Sequence, residues 1–149
     1  MPGVSVLPID DENFVYLTKQ FRYVAEKDTL EVVAGGVENE TPMKAAKREL
    51  KEELGITARE FTKLGKIQLD NSIIKSQSTL YIARKLTFGK TEQDAAEEMN
   101  TVKVSLQQAV EKVLNGEINH APSCVLILKA DKIERGNSWL TFYNRLLNF

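Results

Sequence analysis

The chain has 149 residues, 42% hydrophobic and 28% charged, which is apolar enough for one globular core and excludes a disordered chain. Twenty basic against 21 acidic side chains leave a net charge of −1, without the basic surplus that nucleic-acid binding draws on. The single cysteine excludes an intramolecular disulfide. Cys124 and His120 are too few for a four-ligand zinc site, and no apolar run nears the ~20 residues of a membrane span. The start, Met-Pro-Gly-Val-Ser-Val, has neither a basic stretch nor a long apolar segment behind it. The expectation is one domain over residues 1–149, located in the cytoplasm, with no nucleic-acid or membrane partner.

In chain order, Val4 to Ile9 is an apolar strand and Asp10 to Asn13 a turn. Phe14 to Arg22 alternates weakly as a second strand, and Leu30 to Val33 is a short β-branched run that ends at Ala34-Gly35-Gly36. A polar loop, Val37 to Glu40, leads into the clearest helix. Thr41 is its N-cap, Pro42 suits the first position, Met43 to Leu54 holds no breaker, and Gly55 stands where a C-cap glycine belongs. Phe61 to Leu69 and Ser78 to Leu86 read as strands joined by a polar loop, and Phe88 to Asn100 as acidic and irregular. Ser105 opens a second helix with a capping box to Gln108, and Gly116 ends it. Cys124 to Leu128 is apolar all round; Pro122 before it favours a buried helix. Trp139, Phe142, Tyr143, Leu146 and Leu147 then recur at helical spacing, for core packing or a dimer face, so a homodimer is a candidate assembly.

On a helical wheel, Met43, Ala46, Leu50 and Leu54 share one arc, which faces the core. Glu49, Glu52 and Glu53 take the adjacent arc, Arg48 flanks Glu52, and Lys44, Lys47 and Lys51 take the remainder. A solvated ion-paired face interleaves acids and bases at i, i+4. Here the i±4 neighbours of Glu49 are Ala45 and Glu53, neither of them basic. Clustered like charges beside a core face suit a bound cation, and three carboxylates supply the hard oxygen ligands of Mg²⁺ or Mn²⁺.

The order of these residues resembles the Nudix box, the signature of hydrolases that act on nucleoside diphosphates linked to another moiety. The family pattern runs Gly, five residues, Glu, seven residues, Arg-Glu, an aliphatic, any residue, Glu-Glu, any residue, Gly, aliphatic. From Glu40 through Arg48-Glu49-Leu50-Lys51-Glu52-Glu53-Leu54-Gly55-Ile56 the match holds in identity and spacing. The departure is the gap from Gly35 to Glu40, four residues instead of five. The resemblance implies a Nudix fold of the α/β (α+β) class, a mixed β-sheet sandwiched between α-helices. It implies Glu49, Glu52 and Glu53 as metal-binding glutamates, joined by the backbone carbonyl near Ala34, with Glu52 and Glu53 catalytic. Arg48 would orient the glutamates through ion pairs, and Glu40, with Gly35 and Gly55, would brace the box.

Flanking segments resemble the ADP-ribose and nucleotide-sugar pyrophosphatases within that family. Gln20-Phe21-Arg22 precedes Glu31-Val32-Val33-Ala34-Gly35, with Val33 in place of the usual proline, and Leu80 to Ala83 and Gly116-Glu117-Ile118 follow the same pattern further on. The resemblance implies that Arg22 contacts substrate phosphates, that Glu31 sits at the mouth of the site, and that Glu97 or Glu98 acts as a general base or added metal ligand. The reaction implied is metal-dependent cleavage of ADP-ribose or a related nucleotide sugar to a nucleoside monophosphate and a sugar phosphate. Two alternatives stand beside it: a hydrolase of modified nucleoside triphosphates, and a catalytically idle module that binds nucleotide sugars.

Overall fold

The computed structural model describes residues 2–70, 72, 76–90 and 100–147, with side chains up to residue 136. Seven strands and three helices follow one another among these residues. They are β1 (Pro2–Pro8), β2 (Phe14–Arg22), β3 (Lys27–Glu31), β4 (Val33–Gly36), α1 (Pro42–Leu54), β5 (Ile56–Asp70), β6 (Ser76–Phe88), β7 (Asn100–Ser105), α2 (Leu106–Leu114) and α3 (Ala121–Leu147).

The strands form two sheets. One has the order β4-β1-β6-β5, the other β3-β2-β7. In the first, β1 runs parallel to β6 and antiparallel to β4, so the sheet is mixed. The side-chain period of two then sorts the core onto its two faces. Val4 and Val6 of β1 and Tyr81 and Ala83 of β6 pack with Ala45, Ala46, Leu50 and Leu54 of α1. Leu7, Leu80 and Ile82, one residue out of phase, pack on the other side with Leu106 and Ala109 of α2 and Leu126, Ile127 and Ala130 of α3. The mixed sheet is therefore sandwiched between helices, as the resemblance implies. The buried face of α1 includes Ala45, which the wheel left out, while Met43 lies only partly buried against that core.

Local chemistry accounts for the helix ends. Thr41 Oγ1 accepts the Lys44 N–H at the start of α1, and Gly55 closes it in a left-handed conformation, φ 65°. Ser105 and Gln108 form the capping box of α2, whose C-cap is Asn115, one residue before Gly116. The Asp10 to Asn13 turn is held by the Asp10 carboxylate, which accepts the Glu12 and Phe14 N–H groups and the Tyr16 hydroxyl.

Four sequence readings change. Leu30 to Val33 is not one strand. It divides at Val32 between β3 in one sheet and β4 in the other, and Ala34-Gly35-Gly36 is strand, paired to β1 through Ser5↔Ala34 and Gly3↔Gly36. The β5–β6 hairpin is longer at both ends than its apolar cores, because its solvent-facing ends carry polar residues that still pair. Residues 100–105 form β7, paired antiparallel to β2, where the polar alternation Asn-Thr-Val-Lys-Val-Ser masks a half-exposed strand. Finally, Cys124 to Leu128 and the aromatic stripe belong to one 27-residue helix, α3. The side chains of the stripe, and residues 91–99 with Glu97 and Glu98, lie outside the described residues.

Candidate active site

Arg48 organises the site. Its Nε and Nη2 donate to Glu40 Oε1 at 3.0 and 2.8 Å, Nη2 also donates to the Gly36 carbonyl at 3.1 Å, and Nη1 donates to Glu49 Oε1 at 2.7 Å and Glu52 Oε2 at 3.0 Å. One planar guanidinium thus ties the loop before α1, the end of β4 and two helix carboxylates together, a use of the Arg fork that a lysine cannot copy. Its pKa is raised, first by Glu40, then by Glu49 and Glu52, so the charge is permanent. The Glu49 pKa is raised as well, which for a carboxyl disfavours the charged form. Burial raises its pKa, Arg48 pulls it down, and the neighbouring Glu52 and Glu40 charges push it up again. The helix lacks a basic residue at i±4 from Glu49, and Arg48 supplies the charge from the adjacent position.

Gly35 is explained by the same packing. A Cβ there would lie 2.6 Å from Glu49 Cγ and run into its carboxyl group. The glycine lets the Glu49 side chain lie flat against β4, so the strand and the helix share one carboxylate. The shortened loop before Glu40 is closed by Asn39 in a left-handed conformation, φ 50°, the non-glycine residue that tolerates it best. Gly55 makes room of another kind. Its carbonyl accepts the Gly89 N–H at 2.7 Å, and a Cβ would meet Gly89 O at 2.5 Å.

Glu53 is partly buried with its Oε2 shielded from solvent, and Glu52 is half-exposed. Among the described residues, no three acidic or His/Cys side chains converge as a ready metal cage. The Arg48 guanidinium occupies the centre of charge between Glu49 and Glu52. The donor set still fits a hard divalent cation: several carboxylates lie on one helix face, beside the backbone of Ala34 and Gly35. Ala34 itself is in β4 and lines a pocket next to the box.

Arg22 and Glu31 meet each other. Arg22 Nε and Nη2 donate to the two Glu31 oxygens at 3.0 and 2.6 Å, and Thr29 Oγ1 donates to Glu31 Oε1 at 2.7 Å. Arg22 is half-exposed, whereas Glu31 is buried, 3% exposed, beneath it rather than open at a rim. Burial pushes the Glu31 pKa up, but the Arg22 and Thr29 hydrogen bonds outweigh it and hold the carboxyl below its ordinary range.

Sequence reasoning missed His120 and Ser123. His120 Nδ1 lies 2.7 Å from Ser123 Oγ and 3.7 Å from Glu31 Oε2. Ser123 Oγ also accepts the Val32 N–H at 2.9 Å. This pins the start of α3 to the junction of the two sheets. Burial holds the His120 pKa below the ordinary imidazole value, with Arg22 adding to the effect and Glu31 opposing it. The available signal was a solitary histidine just ahead of Pro122 at a helix start.

This arrangement has relatives. Over 130 residues the chain is 32% identical to a Bacillus subtilis (strain 168) protein named ADP-ribose pyrophosphatase, across 85% of this chain and 70% of that one. Its fold is similar to the crystal structure of an ADP compounds hydrolase, with a TM-score of 0.83 and 25% identity, over 91% of this chain and 74% of that one. Residues 1–124, from β1 through the box to the start of α3, match the family described as NUDIX domain. With most of its length matched, and the box glutamates gathered by Arg48 on α1, the chain belongs to the NUDIX domain family.

Proposed function

We propose that this hydrolase cleaves the diphosphate of a nucleoside diphosphate joined to a sugar, with ADP-ribose or a close relative as substrate and Mg²⁺ or Mn²⁺ as cofactor, in the cytoplasm. The observation that carries the reading is the box helix. Glu49, Glu52 and Glu53 project from one side of α1, and Arg48 bridges Glu40, Glu49 and Glu52 in a single guanidinium. The names of the Bacillus subtilis relative and of the similar solved structure support the choice of an ADP-containing substrate.

A bound divalent cation would neutralise phosphate oxygens and supply a nucleophilic water at neutral pH. Glu49, Glu52, Glu53 and the Ala34 carbonyl would hold it. Arg48 keeps Glu49 and Glu52 together and is itself held by Glu40 and the Gly36 carbonyl. Arg22, half-exposed and held bidentately by Glu31, would contact a substrate phosphate with little side-chain entropy lost on binding. Glu97 or Glu98 would take the proton from the attacking water.

The test is steady-state hydrolysis of ADP-ribose, other nucleotide sugars and nucleoside triphosphates, with Mg²⁺ and with excess chelator. The expected result is higher kcat/KM for ADP-ribose or a related nucleotide sugar than for any triphosphate, and no turnover in chelator. A preference for a triphosphate would replace the substrate, and full activity in chelator would remove the metal mechanism.

A further inference from the structure

Arg22 is the last residue of β2, and its backbone stands next to the exposed turn over residues 23–26, opposite Lys27 of β3. Like charges directly opposite each other repel, so this position does not by itself fix the guanidinium. Glu31, which does hold it, lies two cross-strand pairs further back. The register runs Arg22↔Lys27, Gln20↔Thr29, Thr18↔Glu31, and the period of two puts all six residues on one face. At ~3.4 Å per residue, Lys27 and Glu31 are about 13 Å apart along β3. The hydrogen bonds of 3.0 and 2.6 Å between Arg22 and Glu31 therefore require the two side chains to lean toward each other across the Gln20–Thr29 row that separates them.

Thr29 is the half-buried member of that row on the Glu31 strand. Its Oγ1 lies 2.7 Å from Glu31 Oε1 and 3.3 Å from the Gln20 carbonyl. One hydroxyl has one proton, and the shorter, charge-assisted bond to the carboxylate takes it. Glu31 Oε1 is also the oxygen that accepts Arg22 Nε. The hydroxyl thus stops the carboxyl from turning about its terminal bond, a torsion that is otherwise broad, and a bidentate partner follows the plane of the carboxyl it grips. His120 stands on the other side of the carboxyl, 3.7 Å from Oε2, which is beyond hydrogen-bond reach, and its Nδ1 is engaged with Ser123. It walls the carboxyl in without aiming it.

We propose that Thr29 is a positioning residue for the substrate phosphate: its hydroxyl sets the Glu31 carboxylate, and the carboxylate sets the Arg22 guanidinium. The proposal rests on the function proposed above, in which Arg22 contacts a phosphate, and adds the residue that aims it.

The test compares the unaltered chain with Thr29→Val, Thr29→Ala and Thr29→Ser. Valine keeps the branched shape that suits a strand and removes only the hydroxyl; alanine covers the case in which the added methyl crowds the row. Three quantities are read: kcat and KM for ADP-ribose with Mg²⁺, the exchange rate of the Arg22 Nε proton by nuclear magnetic resonance in excess chelator without substrate, and Tm. Arg22→Lys, which lacks that proton, identifies its signal. In Thr29→Val and Thr29→Ala, KM is expected to rise about fivefold, the scale of one net hydrogen bond, with kcat within about twofold, the pattern of lost uniform binding. The Nε proton is expected to exchange at least about fivefold faster, because the bond that shields it opens more often. Thr29→Ser, which restores the hydroxyl, is expected to restore both. An unchanged KM or an unchanged Nε exchange rate in the valine and alanine variants, or a serine variant that behaves like them, would overturn the assignment. If the unaltered chain hydrolyses no nucleotide sugar, the reaction proposed above fails; hydroxyl-dependent exchange at Arg22, measured without substrate, then still upholds Thr29 as the residue that aims it.

Discussion

At the scale of single residues, Arg48 and Gly35 decide the shape of the site. The guanidinium reaches Glu40, Glu49, Glu52 and the Gly36 carbonyl at once, and the missing side chain at Gly35 lets Glu49 lie against β4. Glu53 extends this acidic face by one helical turn from Glu49, and Glu53→Gln keeps its size while removing one negative charge. If Glu53 holds the cation, kcat at saturating Mg²⁺ falls at least ~10²-fold, about 2.7 kcal/mol of transition-state stabilisation. Far-UV circular dichroism of the variant is expected to match that of the unaltered chain. Turnover within twofold of the original would take Glu53 out of the site.

At the scale of elements, α1 is aimed by its ends. The Thr41 cap and Pro42 start it beside the short loop from β4, and Gly55 turns the chain straight into β5 at Ile56. The left-handed φ of 65° at Gly55 and the approach of Gly89 O and Lys90 leave no room for a methyl group. Unlike the carboxylate against Gly35, these obstacles are backbone atoms and cannot swing aside. Gly55→Ala therefore pays both the conformational cost, ~1 kcal/mol, and a steric one. A destabilisation of about 2 kcal/mol or more is expected in urea unfolding, with Glu49, Glu52 and Glu53 untouched in sequence. A loss under ~0.5 kcal/mol, the range of neutral surface changes, would show that the α1–β5 junction adapts more easily than its contacts imply.

At the scale of the whole molecule, Glu31 sits where the β3-β2-β7 sheet, the crossing to β4 and the start of α3 meet. It is buried under Arg22, hydrogen-bonded by Thr29 and faced by His120. Its folded-state pKa is depressed, so its contribution to stability is present above the ordinary glutamate value and is lost as pH falls through the depressed one. Glu31→Gln removes that dependence. The Tm gap between the two proteins is expected to be widest near neutral pH and to close as pH is lowered below about 4, the ordinary carboxylate range. Arg22 is half-exposed and solvent screens the pair, so the gap is modest. A gap that widens on acidification would reverse the sign and mean that Glu31 is held protonated in the fold.

Much of α1 and its chemistry was readable from residue order, because helix signals and the box are local. The Thr41 cap, the Gly55 stop, the core arc through Ala46, Leu50 and Leu54, and the acidic arc through Glu49, Glu52 and Glu53 all depend on neighbours within one or two turns. The same holds for the capping box at Ser105. Strand partners are set instead by the whole chain. Val32 looks continuous with Leu30 and Val33, yet the sheets divide there, since Val33 to Gly36 pairs with β1 and Lys27 to Glu31 with β2. β7 could not be seen because a half-exposed strand needs little apolar residue on its open face, and only pairing to β2 identifies it. The Arg22–Glu31 pair joins residues nine apart, and the link from Ser123 to Val32 spans 91 positions, so neither leaves a periodic trace. Sequence determined which residues could carry the chemistry; tertiary structure decided which carboxylates Arg48 holds and which corner His120 lines, because both depend on chain segments meeting from far apart.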